Sequence, residues 1–149
     1  MSQHFFDTSA LVKLYHEESG DITVLPIYYG ENAIFISELS RIEFISATHR
    51  KFRNKEINAH ILQVTIDRFL DDFDSKYHVV PLVSSLADMA SELIVEYGRA
   101  RHLVTLDAIQ IASFLAIVDD DTIFVCADSR LNNLIKQMSF NVLEWKDDT

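Results

Sequence analysis

The sequence predicts an α/β fold in which a mainly parallel five-stranded sheet carries helices on both faces. Short apolar runs alternate along the chain with longer segments whose apolar residues recur at three-and-four spacing. Strands separated by helices imply crossover connections, and such connections pair strands in parallel. The 149 residues include only 3 glycines and 2 prolines, which argues against an all-β fold rich in tight turns.

Five apolar runs are predicted as strands. In chain order they are HFF (4–6), AIFIS (33–37), HVVPL (78–82), TIFVCA (122–127) and NVLEW (141–145). Cys126 lies in the fourth run, and we expect a buried core thiol there, kept reduced by its compartment. Because sites in parallel sheets form outside the carboxyl ends of the strands, functional residues are expected where these runs stop.

Six segments between and after these strands are predicted as helices. They are SALVKLYHEE (9–18), ELSRIEFISATHRKF (38–52), NAHILQVTIDRFLDDF (58–73), LADMASELIVEYGRAR (86–101), LDAIQIASFLAIV (106–118) and a last helix at about 129–138. Each places apolar residues on one side of a helix, the pattern typical of a helix packed on a sheet.

The chain is predicted to be one domain, residues 1–149. No repeat, low-complexity tract or Ser/Pro-rich linker divides it, and 48% of its residues are hydrophobic, enough for a core. No run reaches the ~18 apolar residues of a membrane span, and the N-terminus lacks the pattern of a secretory signal. A single cysteine excludes an internal disulfide. We therefore expect a cytoplasmic protein without membrane contact.

The net charge of −10 has the wrong sign for a protein attracted to nucleic acid by its overall field. The basic residues are nevertheless unevenly distributed, since segment 41–55 contains five of the 13 and only one acid, Glu43. These five are Arg41, Arg50, Lys51, Arg53 and Lys55. The segment is either a solvated helix end or a surface for phosphate, and its position beside Glu43 favours phosphate.

Three aspartates stand where strands end or helices begin. Asp7 and Asp128 each follow a predicted strand and precede a helix, so either could simply be a helix cap. Asp107 falls in the first turn of a helix that Thr105 could cap, where the helix dipole favours a carboxylate. Taken one at a time, each aspartate has a purely structural explanation.

Glu43 has no such explanation, because it lies within a predicted helix beside Ile42, Phe44 and Ile45. A carboxylate buried there without a partner would be costly. It requires a cation, a protonated state or an arginine, and Arg41 or Arg50 could supply the arginine.

Together the four acids predict a cation site. The βαβ topology brings all of them towards one rim of the sheet, where like charges raise one another's pKa unless a cation compensates. Hard oxygen ligands select Mg²⁺ or Mn²⁺ over zinc. Other chemistries lack their residues: the six histidines form no helical metal-binding pair, and no glycine-rich phosphate loop is present.

Four segments resemble the signature segments of PIN domains, above all those of the bacterial and archaeal VapC toxins. They are FFDTSALVKLYHEESG (5–20), SELSRIEFISATHRKF (37–52), LVTLDAIQIASFLA (103–116) and FVCADSRLNNL (124–134). The resemblance implies a three-layer α/β/α sandwich with an acidic pocket formed by Asp7, Glu43, Asp107 and Asp128. It also implies that Ser9 hydrogen-bonds a metal-bound water or a phosphate. Many members carry threonine or asparagine around the last aspartate, where this chain reads CADS; Ser129 could supply a hydroxyl from the other side.

The function implied by the resemblance is endonucleolytic cleavage of single-stranded or looped RNA. Mg²⁺ or Mn²⁺, held by Asp7, Asp107 and Asp128 with Glu43 direct or through water, would activate the attacking water. The flanking RNA backbone would contact Arg50, Lys51, Arg53 and Lys55, with Phe52 either packed or available for stacking. Members of this type also form homodimers and are blocked by a cognate antitoxin protein.

Three alternatives stay open at this point. One is a PIN nuclease that processes RNA or DNA without acting as a toxin. Another is a non-catalytic PIN interaction module. The last is an unrelated α/β ligand binder whose acids are only helix caps, although that alternative predicts no particular order for the four segments.

Overall fold

The structure is a computed structural model that describes residues 2–146, and its centre is a five-stranded parallel sheet. The strands are β1 (Gln3–Phe6), β2 (Ala33–Ser37), β3 (His78–Val80), β4 (Ile123–Val125) and β5 (Asn141–Val142). The helices are α1 (Thr8–Tyr15), α2 (Asp21–Tyr29), α3 (Leu39–Arg53), α4 (Ala59–Ser75), α5 (Ser84–Arg101), α6 (Thr105–Leu115) and α7 (Ser129–Gln137).

The first strand lies in the middle of the sheet, whose order is β3-β2-β1-β4-β5. Phe5 pairs with Phe35 of β2 on one side and with Phe124 of β4 on the other, both in parallel. The chain builds outward first through β2 and β3 and then through β4 and β5. The strand order therefore changes direction at β1, and ligand sites of open α/β sheets form at such switch points.

Neighbouring residues of β1 point into different cores, which produces three layers. Phe5 packs with helices α5, α6 and α7, whereas Phe6 packs with helices α1 to α4. Both rings are completely buried, and burial of such a side chain contributes roughly 1.5–3 kcal/mol. The predicted three-layer α/β/α sandwich with a parallel sheet is confirmed.

All five predicted strands are present, but three are shorter than expected. Strand β3 stops at Val80 because Pro81, which has no backbone N–H, cannot continue the ladder. Cys126 is completely buried just after β4, as expected of a core thiol.

The predicted helix at 9–18 is wrong in its last three residues. Helix α1 ends at Tyr15, and a further helix, α2, follows at Asp21–Tyr29. The sequence of α2, DITVLPIYY, is apolar almost throughout and contains Pro26, so it shows no amphipathic period.

A cluster of hydroxyl groups around one carboxylate fixes α2 to its neighbours. Tyr15 donates to Asp72 Oδ2 at 2.5 Å, Tyr28 donates to the same oxygen at 2.7 Å, and the Tyr77 hydroxyl bonds that of Tyr15. Burial and the Asp72 carboxylate raise the pKa of Tyr28 to about 12, so it remains a donor. None of the helices between residues 2 and 146 is long and apolar enough to cross a bilayer.

Candidate active site

Asp7 follows β1 directly and is almost completely buried, with 5% of its surface exposed. Asp7 is the N-cap of α1. Its Oδ1 accepts hydrogen bonds from the Ala10 backbone at 3.1 Å and from the Ser9 hydroxyl at 2.6 Å. Its Oδ2 accepts from the Cys126 thiol at 2.9 Å. Asp7 is thus a helix cap, and it also stands at the switch point of the sheet.

Burial raises the pKa of Asp7 from 3.8 to about 6. Hydrogen bonds from Cys126, Ser9 and Ala10 lower it, and the charge of Glu43 raises it further. Hydrogen bonding therefore compensates only part of the cost of ionising this carboxylate, and a bound cation would compensate the rest.

Glu43, in α3, accepts two hydrogen bonds on one oxygen. The Thr8 hydroxyl donates to Oε1 at 2.8 Å and the Gln110 amide donates to it at 2.9 Å. The alternative in which Arg41 or Arg50 pairs with Glu43 is not observed, since its partners are Thr8 and Gln110. Arg41 precedes Glu43 by two residues, points to another side of the helix and lies over the Phe73 ring at 5.6 Å. Arg50 lies two turns further along α3, about 11 Å away along the axis.

Gln110, on α6, is the residue that links these elements, and it was not among the predicted site residues. Its amide nitrogen donates to Thr8, Ser40 and Glu43 at 3.1, 3.0 and 2.9 Å. The signal was present in the sequence, because Gln110 is a glutamine on a helix of otherwise apolar and small buried residues. Buried amide N–H groups need acceptors, so polar neighbours were to be expected around its nitrogen.

Asp107 and Asp128 are bridged by Arg130, which was not among the predicted site residues. The Arg130 guanidinium donates to Asp107 Oδ2 at 2.7 Å and lies 3.5 Å from Asp128 Oδ2. Its other nitrogen donates to the carbonyls of Arg101 at 3.3 Å and His102 at 3.1 Å. The hydrogen bond to Asp107 raises the pKa of the Arg130 guanidinium above its usual value. The cation between these two acids is therefore the chain's own.

Of the helix caps expected for α6 and α7, the one at α7 is confirmed and the one at α6 is not. Asp128 is the N-cap of α7, accepting from the Arg130 backbone at 2.9 Å. Thr105 is not a cap, because α6 begins at Thr105 itself and its N-cap, Val104, makes no side-chain cap bond. Asp107 nevertheless stands in the first turn of α6, as predicted.

The thiol of Cys126 takes the position in which a hydroxyl contact was in doubt. It donates to Asp7 at 2.9 Å and accepts from the Asp128 backbone at 3.3 Å. Burial raises the pKa of Cys126, and the neighbouring Asp7 raises it further, so the group is a neutral donor. Ser129, the alternative hydroxyl, is exposed at the start of α7.

The four acids fit a hard divalent cation in the kind of ligand they offer. Their arrangement is not that of an assembled metal centre, since no three His, Cys, Asp or Glu side chains between residues 2 and 146 are grouped to hold an ion. Internal donors explain this: Asp7 faces Ser9 and Cys126, and Arg130 stands between Asp107 and Asp128.

Asp7, Glu43, Asp107 and Asp128 are here called the acidic rim. A groove of about 350 Å³, here called the basic groove, adjoins it. Its polar lining comes from Ser9, Lys13, Glu18, Arg50, Lys51, Asn54 and Glu56. Two of the predicted RNA-binding residues, Arg50 and Lys51, therefore line it. The other two, Arg53 and Lys55, are exposed near the end of α3 and outside that lining, and Phe52 is 40% exposed.

Comparison with known proteins relates this geometry to one family. The profile of the PIN domain matches residues 4–136, a span that includes all four acids. Two proteins of Mycobacterium tuberculosis are each 30% identical to the chain over 128 residues, which is 86% of this chain and 85% of theirs. They are Ribonuclease VapC45 of strain CDC 1551 / Oshkosh and Ribonuclease VapC49 of strain ATCC 25618 / H37Rv.

Solved structures share the architecture at low identity. VapBC2 from Rickettsia felis bound to a DNA fragment from its promoter aligns with a TM-score of 0.63 at 15% identity, covering 97% of this chain and 99% of that one. DNA-bound VapBC from Salmonella typhimurium aligns at 0.64 and 14%, covering 95% and 97%. FitAcB from Neisseria gonorrhoeae aligns at 0.63 and 10%, covering 95% and 96%. These likenesses concern the fold.

Proposed function

The chain belongs to the PIN domain family, and from that premise we propose that it is a metal-dependent endoribonuclease of the VapC type. The observation that supports the proposal is that four acids from four elements lie in two pairs. The charge of Glu43, in α3, acts on Asp7, which follows β1. Asp107, in the first turn of α6, and Asp128, the N-cap of α7, share Arg130. The two relatives named as ribonucleases support RNA as the substrate.

Asp7, Asp107 and Asp128 would hold Mg²⁺ or Mn²⁺, with Glu43 a ligand directly or through a water. Such an ion lowers the pKa of a bound water and stabilises the charge that develops on a phosphodiester under attack. The raised pKa of Asp7 supports a cation at this place, because an ionised and buried carboxylate gains most from one.

The remaining side chains of the rim orient these acids. Ser9 and Cys126 each donate to one oxygen of Asp7 and so fix the plane of its carboxylate. Thr8 and Gln110 both donate to one oxygen of Glu43 and so fix its carboxylate, and its second oxygen would bind the ligand. Arg130 keeps Asp107 beside Asp128 and would have to yield to a metal ion.

The substrate would be single-stranded or looped RNA, since a scissile phosphate has to reach the rim. Arg50 and Lys51 would hold the backbone beside the rim, with Arg53 at the end of α3 and Lys55 just beyond that helix contributing further contacts. The expected products end in a 5′-phosphate and a 3′-hydroxyl. We propose further that the chain is a single domain, residues 1–149, and that it acts in the cytoplasm.

A toxin role would add two partners. A homodimer and a cognate antitoxin are proposed from the family, and the VapBC complexes among the fold's solved neighbours support the second. A gene for a short DNA-binding protein directly upstream would separate a toxin from a PIN nuclease of RNA or DNA processing.

A non-catalytic PIN module is the second candidate, and one observation favours it. Arg130 already neutralises the pair formed by Asp107 and Asp128, as an arginine would in a site that no longer binds metal. The prediction that separates the two candidates is metal-dependent cleavage.

The test is cleavage of a mixed panel of RNA and single-stranded DNA in Mg²⁺, Mn²⁺ or EDTA, with wild type beside Asp107→Asn. RNA cutting that EDTA and the substitution both abolish supports the endoribonuclease. Cutting of DNA alone would mean that the substrate is DNA and not RNA. No cutting with any metal would favour the interaction module.

A further inference from the structure

Building on the ribonuclease function, we propose that the basic groove binds a phosphate of the RNA strand beside the scissile one, and that Glu18 occupies this phosphate position until RNA arrives. The groove lies between α1 and α3 on the side of the sheet opposite α5 and α6. Neither Lys13 nor Glu18 belongs to the basic run at the end of α3, and only the fold brings them to it.

The groove opens directly from the acidic rim. Ser9 belongs to the rim and to the groove. Its hydroxyl donates to Asp7 Oδ1 at 2.6 Å and accepts from the Ala127 backbone at 3.0 Å. Ser9 and Ala127 also line the groove. A strand that places one phosphate at Asp7 therefore has the groove as its path for a neighbouring phosphate.

Two lysines from different helices converge on one carboxylate in the groove. Lys51 Nζ lies 2.5 Å from Glu18 Oε1, and Lys13 Nζ lies 3.7 Å from Glu18 Oε2. The side chain of Lys13 is only 15% exposed and that of Lys51 only 19%, so both are held in place rather than spread into solvent. Such convergence of ammonium groups forms an anion site, and its present occupant is a carboxylate of the chain itself.

Glu18 is attached weakly enough to leave. It lies in the connection between α1 and α2, outside any helix or strand, and a quarter of its side chain is exposed. Solvent reaches the carboxylate at that exposure, and screening by water weakens its pairing with the lysines. A phosphodiester carries the same charge and accepts charge-assisted hydrogen bonds from both lysines, so it can replace the carboxylate.

Replacement would also change the charge of the groove. Three cations, Lys13, Arg50 and Lys51, face two carboxylates, Glu18 and Glu56, which leaves one net positive charge. Without Glu18 the groove would carry two. Arg50 is then available to the same strand from the neighbouring position on α3.

The test is the affinity of a short labelled single-stranded RNA at several salt concentrations. The Asp107→Asn background with Mg²⁺ present prevents cutting. Glu18→Gln should bind RNA several-fold more tightly than its parent, because the RNA then displaces no carboxylate, and this gain should shrink as the salt concentration rises. Glu92→Gln, an exposed position of α5 with the same change in charge, is the matched control and should leave the affinity nearly unchanged.

Lysine variants give an independent reading if Glu18→Gln fails to fold. Lys13→Gln and Lys51→Gln should bind RNA several-fold more weakly than Lys136→Gln, which removes an exposed lysine of α7. Equal affinities across both lysine and control variants would overturn the assignment of the groove. An increase for Glu92→Gln as large as that for Glu18→Gln would overturn it too, because the effect would then be one of net charge.

Two further arms identify the source of a failure. Inorganic phosphate in place of RNA distinguishes the ligand: a gain for phosphate alone would overturn the RNA assignment. Wild-type cleavage, measured in parallel, distinguishes the functions. If wild type cuts RNA while Glu18→Gln binds it no better, the groove proposal alone is wrong. If RNA is neither bound nor cut, the ribonuclease function falls with it.

Discussion

Arg130 lies 2.7 Å from Asp107 through one guanidinium nitrogen, and the same nitrogen reaches to within 3.5 Å of Asp128. Two of the four acids of the rim are thus neutralised by a side chain that comes from the helix following the fourth strand. Any divalent ion that binds these two carboxylates competes with a cation attached to the protein.

Arg130→Gln should therefore bind Mn²⁺ several-fold more tightly than wild type. Its metal-free stability should fall by only about 0–1 kcal/mol, because the ion pair is partly exposed. Calorimetric unfolding with and without Mn²⁺ measures both effects. Arg99→Gln, at an exposed position of α5, is the control. An identical metal-induced rise in Tm for wild type and Arg130→Gln would remove Arg130 from competition with the ion.

Asp7→Asn should abolish cleavage and, without metal, raise the free energy of unfolding at neutral pH. Burial raises the pKa of Asp7 to about 6 in the folded state, so ionisation costs stability. The wild type should be most stable below the unfolded pKa and lose stability as the pH rises through 6. The loss should be roughly 1–3 kcal/mol. Asn lacks this ionisation, so the variant should not show the decline.

Urea unfolding in EDTA, well below and well above that pKa, measures the decline. A variant that loses stability with pH as wild type does would show that Asp7 does not carry the titration. Full cleavage activity in Asp7→Asn would remove Asp7 from the mechanism.

Gln110→Met should destabilise the fold and reduce cleavage. The amide nitrogen serves three acceptors in a buried place, and its loss leaves Thr8 and Ser40 short of a partner. The expected cost is roughly 1–3 kcal/mol. Gln63→Met, on the exposed side of α4, makes the same chemical change and should cost far less. Denaturant unfolding of both variants, with cleavage rates beside it, compares them; equal costs would mean that the buried network contributes nothing.

Cys126→Ala should lower cleavage more than Cys126→Ser does. Alanine removes the donor to Asp7 Oδ2, whereas serine keeps an O–H at the same place, although on a shorter bond. The partial rescue by serine separates a positioning role from simple packing, because both substitutions shrink the side chain. Cleavage rates for the two variants, measured at matched folded fractions, decide the matter, and equal rates would show that the thiol does not orient Asp7.

The sequence predicted the fold well because its signals are local. Strand runs such as AIFIS coincide with observed strands, and the caps Asp7 and Asp128 mark real helix starts. Helix α2 escaped prediction because an apolar helix with an internal proline shows no period. Its existence depends on packing and on hydroxyl bonds to Asp72, which lies in a distant part of the chain.

The candidate site was less predictable, because its partners are set by the fold. For Glu43 the sequence left a cation, a protonated state or an arginine of its own helix open, whereas the carboxylate accepts from Thr8 and Gln110. The basic run 50–55 was treated as one surface, whereas the helix directs Arg50 and Lys51 into the groove and leaves Arg53 and Lys55 outside it. Neighbours in sequence face different sides of a helix, so a count of charges cannot assign them.

The central place of β1 in the sheet has a consequence for biosynthesis. Asp7 leaves the ribosome before its contact Cys126, which follows 119 residues later. At roughly 5–20 residues per second this interval lasts about 6–24 seconds. Until then β1 lacks one neighbour and the acids lack their shared rim. A nascent chain that already contains Asp7 and Glu43 is therefore expected to be inert, and nuclease activity should arise only when translation of the domain is nearly complete.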